Sequence, residues 1–345
     1  MADKTSKELE IKVVAALAEG HSLRQVAKTF GIGKSTAGRI RKDYADAPPK
    51  EQEHVKPNFG KLPSKKIDVL AELKRLAAIS QKHGKDDDYR KIEIPATGMI
   101  AVMKAADLHL GGLDIDYQSL LEHYEFLLTK PNFYLQLFGD DINLMVMHKT
   151  VSARHDVLTP EEQTNLLENM VDELLSRGKI LSMGSGNHSD EFTERTAGFG
   201  ITRALMKYKV PYFRGMGYID LVVGKVRYGQ AFAHKTRFNS FMNPAHGAKR
   251  MQQMHAEYFG KNRQIADEYI TAHTHNPYVS HEGCLPEDRI WYVKCGTFKT
   301  NCLYSQRYFG QGRIGVPTAV YHPEHKSVVY LPTPWDADRY MAGGL

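Results

Sequence analysis

Five apolar runs in this chain each stop at side chains that can ligate a metal. Ile100 to Ala106 leads into Asp107-Leu108-His109, and Tyr134 to Phe138 leads into Gly139-Asp140-Asp141. Ile180 to Met183 precedes Gly186-Asn187-His188, Tyr228 to Ala233 precedes His234, and Tyr269 to Ala272 precedes His273-Thr274-His275. The donors are carboxylates, one amide and imidazoles, without a thiolate. Such a hard-to-borderline set suits manganese, iron or zinc. Two divalent ions about 3.5–4 Å apart can clamp the attacking and leaving oxygens of a phosphoryl displacement, and they lower the pKa of water. An aspartate shared by both ions offsets part of their repulsion, and Asp140 is the expected bridge. A lone Asp-x-His or Gly-Asp says almost nothing; five such endings in one chain say a great deal.

The elements that must position these residues alternate. Short apolar strands are followed by helical stretches expected over 117–128, 160–176 and 193–209. Ile219 to Val223 and Val226 to Phe232 flank Gly224-Lys225 and read as a hairpin. Strands are expected again at 290–294, 318–321 and 328–331. This order indicates an α/β sandwich rather than a barrel. In open α/β sheets, ligands bind beyond the carboxyl ends of strands, so the five endings can meet at one place.

The first hundred residues are different. They hold 20 Lys and Arg against 14 Asp and Glu, whereas residues 101–345 hold 26 of each, so the whole excess of +6 lies in front. A basic front end suits an anionic partner. Leu9, Ile11, Val13, Val14 and Leu17 have helical spacing over residues 7–18. Ser22 can cap a second helix over 23–30, Gly31-Ile32-Gly33 is a turn, and Ser35 can cap a third over 36–44. Gly33-Lys34-Ser35 is not the end of a P-loop, because Lys28 stands where that motif needs glycine. Residues 46–65 hold four prolines among charges and read as a linker. Residues 66–91 read as an amphipathic helix and connector, and the α/β body is expected over 92–345.

Composition excludes several classes. Hydrophobic residues make up 42% and charged residues 25%, as in soluble globular chains. No apolar run approaches the roughly 20 residues of a membrane helix. Met1 to Lys7 has no signal-like segment, so an intracellular location is expected. Cys284, Cys295 and Cys302 are too few and too scattered for a disulfide framework or a thiolate zinc site.

Two resemblances follow. Ser22 to Thr36 resembles the helix-turn-helix domains of resolvases and transposases. That likeness implies DNA as a partner, with Lys34, Ser35, Thr36 and Arg39 facing bases and Arg41 and Lys42 holding phosphates. The series Asp107-Leu108-His109, Gly139-Asp140, Gly186-Asn187-His188, His234 and His273-Thr274-His275 resembles the calcineurin-like metallophosphoesterase superfamily, DNA-repair exonucleases included. It implies a four-layer αββα sandwich behind a small all-α helix-turn-helix domain. It also implies two divalent ions, Mn2+ foremost with Fe or Zn as alternatives. Asp107, His109 and His275 would hold the first, Asn187, His234 and His273 the second, and Asp140 both. His188 would be the catalytic residue, serving the leaving oxygen. Asn143 could touch substrate or support the site. Three departures stand out: Ala233 and Ala272 replace the usual glycines, and Ser189 replaces an acidic residue, so Asp190 or Glu191 is expected to orient His188. The combination implies a DNA nuclease; the alternative is a phosphatase or cyclic-nucleotide phosphodiesterase whose head mediates assembly. A homodimer is a further implication, and the pairing of parts would suit a phage or mobile element.

Overall fold

The computed structural model describes residues 7–45, 69–86, 89–144, 156–236, 243–261, 263–300 and 312–343. The linker at 46–65 lies outside them, as do Cys302 and Lys149, Arg154 and His155, a basic group that the sequence offers either as a grip on a polyanionic substrate or as a solvated loop. The chain divides into two compact units, Met1–Glu72 and Leu73–Leu345.

The first unit contains α1 (Lys7–Ala18), α2 (Leu23–Thr29) and α3 (Lys34–Ala45). Val13, Val26 and Ile40 form its buried centre, one from each helix. The Ser22 side chain accepts from the Gln25 N–H while Gln25 reaches back, a capping box. Gly31, at φ +65°, reverses the chain after α2, and the Ile32 N–H closes onto the Ala27 carbonyl at 3.0 Å. Helix α3 starts at Lys34, so Ser35 lies inside its first turn and is not the cap expected from sequence. Helix α4 (Val69–Asp86) follows the linker.

The second unit is built on two six-stranded sheets. One has β2 (Ile100–Ala105), β3 (Phe133–Leu137), β4 (Ile180–Gly184) and β5 (Tyr212–Phe213) parallel, with β11 (Thr318–Tyr321) and β12 (Val328–Leu331) added antiparallel beside β2. The other runs β1 (Tyr89–Ile94), β6 (Met216–Val223), β7 (Val226–Ala233), β8 (Glu268–Thr271), β10 (Ile290–Lys294) and β9 (Tyr278–Glu282). Strands β7, β8 and β10 are parallel, and β6–β7 is the expected hairpin about Gly224. Strand β1 begins at Tyr89, inside the segment expected as a connector.

Four layers result. Val102, Phe138, Leu181 and Phe213 of the first sheet meet Ile219, Leu221, Phe232 and Ile270 of the second. Phe232 sits edge-on to Phe138 and Phe213, with centroids 5.0 and 4.9 Å away. Burying each such ring contributes about 2 kcal/mol. Helices α5 (Tyr117–Thr129), α6 (Pro160–Ser176), α8 (Ile201–Met206) and Pro334–Met341 cover the far face of the first sheet with Phe126, Leu167, Val171, Met206 and Ala337. Helices α9 (His246–Gln253) and α10 (His255–Phe259) cover the second, where Ala248 and Met251 pack on Tyr269 and Tyr292. The single helix expected over 193–209 is instead α7 (Phe192–Ala197) and α8, parted at Gly198, φ +79°.

Candidate metal centre

Parallel pairing brings Ala105, Leu137 and Met183 level in the first sheet, and Ala233 and Thr271 level in the second. The loops beyond these strand ends carry every expected ligand. The Asp107 N–H donates to the Gly139 carbonyl and the His109 N–H to the Asp140 carbonyl, each at 2.9 Å, so the loops after β2 and β3 run locked together. A Cβ at Gly139 would strike the Ser185 carbonyl, and one at Gly186 would strike the Asp140 backbone nitrogen. Glycine is required because these loops touch backbone to backbone. Among the described residues six non-glycines have left-handed φ, and five are expected ligands: Asp107 at 51°, His109 at 48°, Asp140 at 54°, His273 at 73° and His275 at 56°. Such a conformation costs about 1–3 kcal/mol per residue and is held only where the surroundings enforce it.

The side chains fall into two groups, and Asp140 connects them, because it also clusters with His109 and His188. Asp107, His109 and His275 form one. His109 Nε2 and His275 Nε2 face each other at 3.2 Å, and Asp107 Oδ1 lies 3.4 Å from His275 Nε2 and 3.8 Å from His109 Nε2. Asp140, His234 and His273 form the other. There His234 Nε2 lies 3.0 Å from Asp140 Oδ2 and 3.1 Å from Asn187 Oδ1. His234 Nδ1 donates to the Phe138 carbonyl at 2.8 Å, which aims Nε2 inward. The His273 N–H donates to Asp107 Oδ2 at 2.9 Å, leaving Oδ1 buried without a hydrogen-bond partner. An orphaned carboxylate oxygen and opposed imidazole nitrogens around one point fit a cation.

Electrostatics agree. Burial would raise Asp140, but the charges of His234 and His188 hold it well below the usual carboxylate range. Burial would lower His234, yet Asp140 and Asp107 push it up to about 10. His273 is pushed down to about 4 by burial and by His234. His109 is held well below its ordinary value by burial, then by Lys299 and His188. The buried carboxylates draw positive charge to this point, which a divalent ion can supply in place of the His234 proton.

His188 lies beside this cluster, its ring 4.6 Å edge-on from that of His109. Its N–H donates to Asp140 Oδ1 at 2.7 Å, and its Nδ1 donates to the Asn143 backbone carbonyl at 2.6 Å. The expected orienting carboxylate is therefore replaced by a carbonyl. Asp190 points elsewhere, accepting from Tyr212 Oη and from the Arg203 N–H. Glu191 pairs with Arg195 at 3.6 Å. The Asn143 side chain is buried and hydrogen-bonded, not presented to substrate. Sequence gave no sign of Thr297, whose Oγ1 donates to the Asp107 carbonyl at 2.7 Å, or of Gln163, whose Oε1 accepts from the Asn143 and Leu144 N–H groups. Their partners are backbone atoms, which leave no side-chain pattern. His123 is a core residue: its Nδ1 donates to the Ser119 carbonyl, and Phe298 and Trp335 pack around its ring.

In the first unit, Lys34, Ser35, Arg39, Arg41 and Lys42 are exposed on α3 and Thr36 is half-buried. Residues 4–49 match the model of the Homeodomain-like domain family, in agreement with a helix-turn-helix. No curated protein matches the chain. Among solved structures, Vacuolar Protein Sorting 29 from Cryptosporidium parvum is 13% identical, covering 68% of this chain and 96% of its own, with a TM-score of 0.35. Nuclease MPE from Pseudomonas putida is 13% identical, covering 67% and 87%, with a TM-score of 0.30. Overlap that loose leaves the site to be understood from its own geometry. Among the described residues no helix is long and apolar enough to cross a membrane.

Proposed function

We propose that the second unit is a metallophosphoesterase of the calcineurin-like kind that hydrolyses phosphodiester bonds with two divalent ions, manganese foremost. We propose further that its substrate is DNA, engaged by the helix-turn-helix head. The observation that carries this is the position of Asp140, which clusters with His234 and His273 on one side and, on the other, with His109, itself grouped with Asp107 and His275.

When bound, the ions would supply Lewis-acid stabilisation of phosphate charge and a water of lowered pKa. The protein's own residues do the rest. Asp107, His109 and His275 would hold one ion, Asn187, His234 and His273 the other, and Asp140 both. The strained loops fix these donors before substrate arrives, so little reorganisation accompanies the reaction. His188 commits Nδ1 to the Asn143 carbonyl. Its Nε2 is then the free nitrogen, which takes up a proton from solvent and hands it to the leaving oxygen as the P–O bond breaks. On the head, Lys34, Ser35, Thr36 and Arg39 would meet base edges and Arg41 and Lys42 phosphates.

The test is the full chain with manganese on linear duplex DNA, single-stranded DNA and para-nitrophenyl phosphate esters. Cleavage of DNA is expected, with His188→Ala lowering turnover about 10²–10⁴-fold while metal content is kept. Hydrolysis of the small esters alone, without DNA binding, would favour a phosphatase or cyclic-nucleotide phosphodiesterase whose head serves assembly. No phosphoester hydrolysis by metal-loaded protein would refute the proposal.

A further inference from the structure

Lys299 is a buried cation, 3% exposed, that no sequence pattern distinguishes. Its ammonium donates to Asn143 Oδ1 at 2.8 Å and lies 3.5 Å from Asp114 Oδ1. The other end of the same amide, Asn143 Nδ2, donates to Asp156 Oδ1. A donor on the oxygen and an acceptor on the nitrogen permit only one orientation of that amide. The Asn143 N–H donates to Gln163 Oε1 at 3.1 Å. Asn143 is thus gripped by its oxygen, its nitrogen and its main chain. Its carbonyl takes the His188 Nδ1 proton.

Lys299 is itself anchored to the metal loops. Its N–H donates to Thr297 Oγ1 at 2.9 Å, and that hydroxyl donates to the Asp107 carbonyl at 2.7 Å. Residues 297–299 therefore touch both a proposed metal ligand and the support of His188. Burying an ammonium is unfavourable unless polar partners compensate. Asn143 Oδ1, at hydrogen-bond distance, and the Asp114 carboxylate are the partners that compensate this one.

We propose that Lys299 is a positioning residue for His188. It fixes the Asn143 amide, and the fixed Asn143 carbonyl sets the tautomer and ring orientation of His188. This rests on the phosphoesterase proposal for why the orientation matters. Water's oxygen forms the new bond to phosphorus and releases a proton to solvent. His188, with Nδ1–H held by Asn143, takes up a solvent proton on Nε2 and passes it to the leaving oxygen as that bond to phosphorus breaks, which returns the ring to its neutral Nδ1–H form. Lys299 exchanges no proton. With the opposite tautomer, the Nδ1 lone pair would face the carbonyl lone pairs of Asn143, a repulsive contact.

The experiment compares the full chain with Lys299→Met and Lys299→Arg. Nitrogen-15 NMR of histidine-labelled, metal-free protein reads the tautomers. Wild type is expected to show His188 wholly protonated at Nδ1, and Lys299→Met a mixture. His234, whose Nδ1 is held by the Phe138 carbonyl, is the internal control and is expected to stay unchanged. With manganese and bis(para-nitrophenyl) phosphate, Lys299→Met is expected to lose at least about tenfold in kcat with KM nearly unchanged, and Lys299→Arg to recover most of it. A wild-type His188 tautomer in Lys299→Met overturns the proposal, and so does a joint change of His188 and His234, which marks a merely structural residue. If Lys299→Met fails to fold, Asp156→Asn, which loosens the other end of the amide, is expected to move the His188 signals alone; unmoved signals overturn it. If the chain hydrolyses no phosphoester, the tautomer still decides the role of Lys299, and only the functional proposal falls.

Discussion

His234 shows what the site stores before metal arrives. Burial alone would depress this histidine, yet the carboxylates of Asp140 and Asp107 push it up to about 10. A histidine raised above its unfolded value of about 6.5 stabilises the fold fully below that value, and the contribution is lost as pH rises through about 10. At about pH 8 the metal-free protein therefore holds a proton on His234 that a divalent ion must displace. Manganese binding at that pH is expected to release a proton, read by calorimetry as a binding enthalpy that follows the ionisation enthalpy of the buffer. Identical enthalpies across buffers would contradict this. The residues proposed as ligands were legible in the sequence because each is a chemically distinctive side chain behind an apolar run. The partner of His188 was not, because it is a main-chain carbonyl at Asn143, and any residue type offers one.

At the scale of elements, the glycines between strands and ligands carry the geometry. A methyl at Gly186 would strike the backbone nitrogen and carboxylate of Asp140, whereas a methyl at Gly98 would meet nothing within 4 Å. Gly186→Ala is expected to lose about 1–3 kcal/mol of stability and to weaken manganese binding. Gly98→Ala is expected to stay within about 0.5 kcal/mol. Thermal unfolding and metal titration of both variants check this, and equal behaviour would count against the loop contact. Strands β2, β3, β4, β7 and β8 could be read because they are apolar runs. Strand β1 alternates charged with apolar residues along an edge, and the exposed β9 lacks a clear period, so neither stood out. The helix expected over 193–209 is broken by tertiary contact. Asp190 accepts the Arg203 N–H at the start of α8, and a side chain at Gly200 would collide with Asp190.

At the scale of the molecule, charge is spread unevenly along the chain. The body is neutral, while the basic excess lies in the first hundred residues, where α3 exposes Arg39, Arg41 and Lys42. If those side chains meet DNA, Arg41→Ala and Lys42→Ala should each weaken binding uniformly across sequences. Each should also lower the salt slope of the affinity by about one. Fluorescence anisotropy of the full chain at several salt concentrations reads both effects, and unchanged slopes would place the DNA contact elsewhere. The two-sheet body followed from alternation of strands and helices in the sequence. The order of strands within each sheet did not, because β1 pairs with β6 and β2 with β11 across long stretches of chain that no local pattern links.

Anomalous scattering from a crystal grown with manganese tests the central claim most directly. Two peaks about 3.5–4 Å apart are expected, with the Asp140 carboxylate between them, one beside His109 and His275 and the other beside His234 and His273. A single peak, or peaks remote from Asp140, would contradict a shared carboxylate.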